Sequence, residues 1–258
     1  MFNAITKVKV SSYSITDMNP TTKLYKATIA VNIKVFILLV FVAIGLYACK
    51  NNGEIIPVVK TTLLNVVNAD INPLNFYQNG TRLNNISSIN PGSESDYMSV
   101  PNGTTIYQFK IAGSRTPDYI INNYSLKLDS SAHSLFAAGE TADKLFLIKD
   151  VPLKDSSSVA MIRFVNASPA TTNLTVSIGS SLTYSNQAFQ SASNFTYIAP
   201  GTYTVNIYQA GSVTPLLSPQ TITLIANTKY TLFTRGIING TGQNALSASV
   251  VTNNISLL

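Results

Sequence analysis

The stretch APGTYTVNIYQAGS, Ala199–Ser212, sets the fold class. After the Pro200-Gly201 turn, Tyr203, Val205 and Ile207 fall on one face of an extended chain, and Thr204 and Asn206 fall on the other. Apolar β-branched and aromatic residues repeating with period two mark a half-buried strand. Ala210-Gly211-Ser212 then ends the run with turn residues. About a hundred residues upstream the same alternation recurs after Asn102-Gly103, with Tyr107, Phe109 and Ile111 against Gln108 and Lys110.

That recurrence belongs to an internal duplication. A shift of 98 residues lays Leu64–Ala69 (LNVVNA) on Ile162–Ala167 (IRFVNA), Gly103 on Gly201, Gly113-Ser114 on Gly211-Ser212 and Pro117 on Pro215. A shift of 97 aligns Leu135-Phe136 with Leu232-Phe233 and Gly139 with Gly236, as one single-residue deletion in a loop would produce. Asn79-Gly80 lies between two short apolar runs, a hairpin signal because both turn residues need positive φ. No stretch of the body sustains helical spacing for three turns. The pattern predicts an all-β body of two tandem immunoglobulin-like antiparallel sandwiches, over 60–155 and 156–258, after an N-terminal signal helix.

The second copy, through IRFVNASPA (Ile162–Ala170), APGTYTVNIYQAGS and ITLIANTKYTLFTRG (Ile222–Gly236), resembles the domain-of-unknown-function 4397 family. The resemblance covers 159–236 well and the first copy loosely. It implies β-sandwich modules of bacterial envelope and secreted proteins, often in tandem and with no assigned activity. Many members carry an acid shortly after the Ser-Pro. Here Ala170 and Thr171 follow Ser168-Pro169, so any ligand role of such an acid is missing from this copy.

The first fifty residues read as an address. Val35–Ala48 (VFILLVFVAIGLYA) is an unbroken apolar run of 14 residues behind Lys34, shorter than the roughly 20 needed to span a bilayer. It fits the apolar core of a secretory signal. Leu46-Tyr47-Ala48-Cys49 resembles the lipobox of bacterial lipoproteins, although Tyr47 is bulky for its place. The resemblance implies a signal peptide over 1–48, cleavage before Cys49, lipid on Cys49, a membrane partner through that lipid, and a tether over 49–59. A start at Met18 rather than Met1 would give a signal of more usual length. The implied location is the bacterial cell envelope, as an outer-membrane lipoprotein facing periplasm or surface. In the Bacteroidota, surface-exported lipoproteins often carry Lys or Ser and then acids after the cysteine. Lys50 matches and Asn51 and Asn52 do not.

Composition bounds the chemistry. The chain of 258 residues has 17 basic and 11 acidic groups, one His and one Cys. Five lysines and one acid precede residue 49, which leaves 12 basic and ten acidic groups in the body. So even a balance gives no phosphate-binding stripe, and a nucleic-acid partner is not expected. One His and one Cys cannot build a disulfide scaffold or a His/Cys metal cluster, so neither metal nor cofactor is expected. From Ser156 to Leu258 there is no Asp, Glu, His or Cys, which leaves that half without the groups of acid–base or paired-carboxylate catalysis. Lys229, beside Tyr230, reads as a solvated charge at a strand edge. The lone His133 aligns with Tyr230 in the repeat and reads as a packing residue on a strand face. Glu94 and Asp96, with Asp118 or Asp129, lack the spacing of a calcium loop and read as solvated loop acids. Glu140, Asp143 and Lys144 read as an exposed turn. Nine Asn-x-Ser/Thr triplets, among them Asn79, Asn123, Asn166 and Asn239, follow from a composition rich in Asn, Ser and Thr.

For binding, the aromatics Tyr184 and Phe189, interleaved with Ser, Asn and Gln, are the candidates, while Phe195 and Tyr197 have the period of a core strand. The whole points to a non-enzymatic envelope protein with an adhesion, scaffold or binding role toward an envelope protein or glycan. The alternatives are a solute- or glycan-binding accessory of an outer-membrane uptake system, and an enzyme confined to the first sandwich.

Overall fold

The computed structural model describes Val35, residues 59–253 except 85–86, 116–117, 152–157 and 170–172, and Ile255. Apart from Val35, the signal segment falls outside the described residues, as do Cys49 and most of the tether. So do the expected boundary at 155/156, Ala170 and Thr171. Among the described residues no helix is long and apolar enough to cross a membrane.

Among the described residues sixteen strands make up the body, eight from each repeat. In the first repeat, β1 (Thr61–Asn68), β4 (Glu94–Pro101), β7 (His133–Ala137) and β8 (Leu145–Lys149) form a sheet in the order β4-β1-β7-β8. A second sheet, β3-β2-β5-β6, is built from β2 (Leu74–Gln78), β3 (Thr81–Arg82), β5 (Gly103–Ile111) and β6 (Ile121–Leu128). The second repeat copies this plan. Its first sheet is β12-β9-β15-β16, from β9 (Ala160–Asn166), β12 (Thr196–Ile198), β15 (Lys229–Arg235) and β16 (Ser247–Thr252). Its second, β11-β10-β13-β14, uses β10 (Leu174–Ile178), β11 (Leu182–Gln187), β13 (Gly201–Gln209) and β14 (Gln220–Leu224). The tandem sandwiches expected from the sequence are therefore present, with matching topology. The Asn79-Gly80 hairpin is also present: both residues have positive φ, 47° and 81°, and Gln78 pairs with Thr81.

Two features depart from the expectation. Each sandwich contains one parallel ladder, β1 with β7 and β9 with β15. The duplication also differs by more than one loop deletion. Leu128 and Leu224 both pair with the glycine that opens the neighbouring strand, an offset of 96. His133 and Tyr230 hold equivalent places at an offset of 97, and Lys149 and Thr252 at 103. Several loops changed length while the strand registers held, as expected where a one-residue slip would turn a buried face outward.

Each sandwich has its own core. Leu64, Phe76, Tyr107, Phe109 and Leu135 fill the first, and Ile162, Phe164, Val176, Ile207 and Leu232 fill the second. Burial in the first core pushes the Tyr107 hydroxyl up to about 12. A third cluster joins the two repeats: Val67, Ala69, Phe136 and Phe146 of the first pack with Val165, Ala167, Phe233 and Val251 of the second. The Phe136 and Phe233 rings meet edge to face at 5.7 Å. The two phenylalanines, like Val67 with Val165 and Ala69 with Ala167, occupy equivalent places in the repeats. The contact therefore uses the same patch from both sides, the pattern of an isologous interface within one chain. It also explains why β7 is buried at every residue and β15 at all but its last. A strand covered on both faces reads as continuous rather than alternating. Residues 59–258 accordingly form one compact unit.

Phe136→Ala and Phe233→Ala should each cost about 3–5 kcal/mol in urea unfolding. Because the rings touch, the double variant should lose measurably less than the two losses combined.

Candidate functional site at the junction of the repeats

Beside the shared apolar patch lies a buried polar ring assembled from both repeats. Asp150, just beyond β8, receives Arg163 of β9 through Nη2 at 2.6 Å, with both side chains almost fully buried. Its other carboxylate oxygen accepts the Tyr97 hydroxyl at 2.8 Å and the Ser134 hydroxyl at 2.7 Å. Arg163 Nε donates to Thr231 Oγ1 at 2.9 Å, and Thr231 donates to Asn253 Oδ1. Asn253 Nδ2 donates to Tyr97 Oη at 3.2 Å and to Ser134 Oγ at 3.4 Å, which closes the circuit. Burial and the nearby Asp150 charge push the Tyr97 hydroxyl far above its ordinary range, so it remains a donor.

Strand registers place these groups in equivalent pairs. Asn65 corresponds to Arg163 and Ser134 to Thr231, since Asn65 lies opposite Ser134 in one parallel ladder as Arg163 lies opposite Thr231 in the other. Asp150 corresponds to Asn253, because their backbone N–H groups donate to Ala132 O and Lys229 O at 2.8 and 2.9 Å. Tyr97 corresponds to Phe195 at the offset of 98. Two positions of the ring are thus used twice, as Ser134 with Thr231 and Asp150 with Asn253, while Tyr97 and Arg163 each enter from one repeat, and the two charges lie on opposite repeats.

Arg163 and Lys229 sit under Phe195, their cationic groups 4.6 and 5.3 Å from the ring centroid. Lys229 is 1% exposed and donates to Val151 O, so it is a buried cation of a central strand rather than a solvated edge charge. Desolvation lowers its pKa, with Arg163 acting in the same direction and Asp150 opposing. Next to these groups opens a cavity of about 500 Å3, lined by Ile148, Met161, Phe195 and Tyr197 together with Arg163 and Lys229. Phe195 and Tyr197 are therefore not core residues. β12 is an edge strand that turns Ile198 inward and leaves Tyr197 58% exposed.

On the opposite side, Glu94 spans the repeats. Its Oε2 accepts Asn65 Nδ2, and its Oε1 accepts the Thr252 backbone N–H at 3.0 Å. Burial outweighs these bonds and raises its pKa to about 7, so Glu94 is not the solvated loop acid the sequence suggests.

The other sequence candidates have structural places. Tyr184 and Phe189 do not share a surface. Tyr184 lies in the second core and donates its hydroxyl to Ile162 O at 2.6 Å. Phe189 packs on the junction cluster against Phe146, ring centroids 6.1 Å apart, with Lys144 over it. His133 is buried at the start of β7, opposite Leu64 as Tyr230 is opposite Ile162, which bears out the packing role. Asp129 is held low, at about 2, by the Ser131 N–H first and then by Lys149. Asp143 and Lys144 pair at 2.9 Å in an exposed turn, with Glu140 beside them. Among the described residues no group of three His, Cys, Asp or Glu side chains could hold a metal ion. Sequence reading missed Arg163, Asp150 and Asn253. Arg163 carried one signal: a charged residue inside the apolar run IRFVNA, where its repeat partner is Asn65.

Fold and junction define a double β-sandwich protein built by duplication. The chain belongs to the family described as domain of unknown function (DUF4397), which matches it over residues 62–177 and 160–256 and so takes in the first copy as fully as the second. No curated protein matches the chain. Among solved structures, a candidate cell adhesion protein from Bacteroides uniformis is 9% identical, over 75% of this chain and 97% of its own length, with a TM-score of 0.22.

Arg163→Met should cost about 3–5 kcal/mol, because it leaves Asp150 buried without its cation. Asp150→Leu together with Arg163→Met should recover part of that loss in denaturant titrations. Glu94 adds a pH dependence. Its folded pKa lies above the value of 4.5 it has when unfolded, so the folded state holds the extra proton. Stability from this group is full below pH 4.5 and is lost as the pH rises through about 7, a fall of about 3 kcal/mol. Glu94→Gln should flatten that part of the stability–pH curve.

Proposed function

We propose that the chain is a lipoprotein of the bacterial cell envelope, anchored through Cys49, whose joined sandwiches act as a rigid non-catalytic body for binding, adhesion or scaffolding. The observation that carries this reading is the junction. A buried apolar patch and a closed polar ring join the two sandwiches, so surfaces and loops contributed by both are held in fixed relation. Such preorganisation suits recognition, since little ordering remains to be done on binding. The anchor rests on Leu46-Tyr47-Ala48-Cys49, ten residues before the compact unit begins at Val59. A chain of that length would hold the body close to the bilayer. The solute-binding accessory is the second reading, and the walled cavity between the repeats favours it.

Expression of the full chain in a bacterial host with metabolic labelling by an acyl-chain analogue tests the anchor. The wild type should take up label and sediment with membranes, while Cys49→Ser should do neither. Equal membrane recovery of the two would overturn it.

A further inference from the structure

The first repeat shows what the junction does with a carboxylate. There the Glu94 side chain is seated between Asn65 of β1 and the outward N–H of Thr252 on the other repeat's edge strand. Each of the three groups has a structural counterpart. Glu94 pairs with Val67 and Ala192 with the equivalent Val165. Asn65 corresponds to Arg163, and Thr252 to Lys149. Ala192, Arg163 and Lys149 all line the cavity. On that side the duplication thus retains the place of a carboxylate but has an alanine where the glutamate would start. It also has a guanidinium where the weaker amide donor would be.

The local chemistry agrees. In an antiparallel pair successive N–H groups alternate in direction. The Asp150 N–H donates to Ala132 O on the β7 side, so that of Lys149 points away from β7, as the Thr252 N–H does from β15. Arg163 spends Nε on Thr231 and Nη2 on Asp150, while Nη1 has only a 3.5 Å contact with Lys149 O. Of the three cations that line the cavity, Lys149 pairs with Asp129 and Arg163 with Asp150, while Lys229 has no carboxylate partner among the described residues. Met161, Phe195 and Tyr197 supply apolar wall beside them.

We infer that this cavity binds an organic carboxylate with an apolar neighbouring group, of the kind a peptide carboxyl terminus presents. Its carboxylate lies between the Arg163 guanidinium and the Lys149 N–H, where the Glu94 carboxylate lies on the opposite side. Charge-assisted bonds of this type are the stronger ones, and a walled cavity with few directed polar groups is the usual form of a small-ligand site. The inference deepens the binding role proposed above but is independent of the Cys49 anchor: membrane recovery can fail while this binding stands, and the reverse.

Calorimetric titration of the full chain with N-acetyl-glycyl-phenylalanine, with its carboxy-terminal amide and with glucuronate tests it. The free acid should bind at least tenfold tighter than the amide, and more weakly as salt increases. Glucuronate should bind more weakly than the peptide acid. If it binds more tightly, the ligand class is a sugar acid and the peptide-like apolar group is overturned. Ala192→Glu supplies the side chain that the first repeat already has, and should reduce binding of the acid at least tenfold. Should that variant not fold, amide and Arg Nε resonances of the wild type decide, since Lys149 and Arg163 should shift with the acid and not with the amide. Equal binding of acid and amide, no binding of either, or unchanged acid binding by a folded Ala192→Glu protein would each overturn the assignment.

Discussion

The shared face between the repeats is the constraint on which the rest of the molecule depends. β1, β7, β9 and β15 bury one face in their own sandwich and have apolar side chains on the other as well. A lone sandwich would leave Val67 and Phe136, or Val165 and Phe233, in water. Each repeat therefore completes the other. Duplication provides such a partner directly, because a patch that suits a twofold contact needs only a second copy of itself.

Symmetry of this kind places like groups opposite like groups, and the polar ring shows how the copies diverged to avoid the cost. Two copies of Asp150 at the junction would bring buried like charges together. The structure has Asp150 in one repeat and Asn253 in the other, Arg163 in one and Asn65 in the other. The buried charges become one complementary pair, and amide and hydroxyl groups complete the remaining bonds. A pair of this type gives more to geometric specificity than to net stability, since desolvation offsets much of the attraction. Its effect here is to fix how one sandwich meets the other.

The buried asparagine in the Val-Asn-Ala of both repeats shows the same economy on a smaller scale. Asn68 donates to Asn72 O and Ile89 O and accepts the Asp70 N–H, while Asn166 donates to Gln187 O and accepts the Ser168 N–H. One side chain ties the strand to its following turn in each copy. The short motif that disclosed the duplication in the sequence is also a structural clamp, and the chain has kept it while loop lengths around it changed.

What the sequence determined by itself was local. Period-two alternation, turn residues such as Asn79-Gly80 and the matched runs at Leu64 and Ile162 were enough for strands, hairpins and a doubled all-β plan, because these follow from backbone preference and burial of one face. Tertiary structure alone decided the rest. Lys229 looks like an edge charge until β15 proves central, and Phe195 looks like core until β12 proves an edge strand turned the other way. Tyr184 looks available until its hydroxyl is found on Ile162 O. Glu94 and Thr252 are 158 positions apart, and Arg163 and Asp150 belong to different sandwiches. No periodicity along the chain encodes such meetings, because they arise only when two finished sheets are laid face to face.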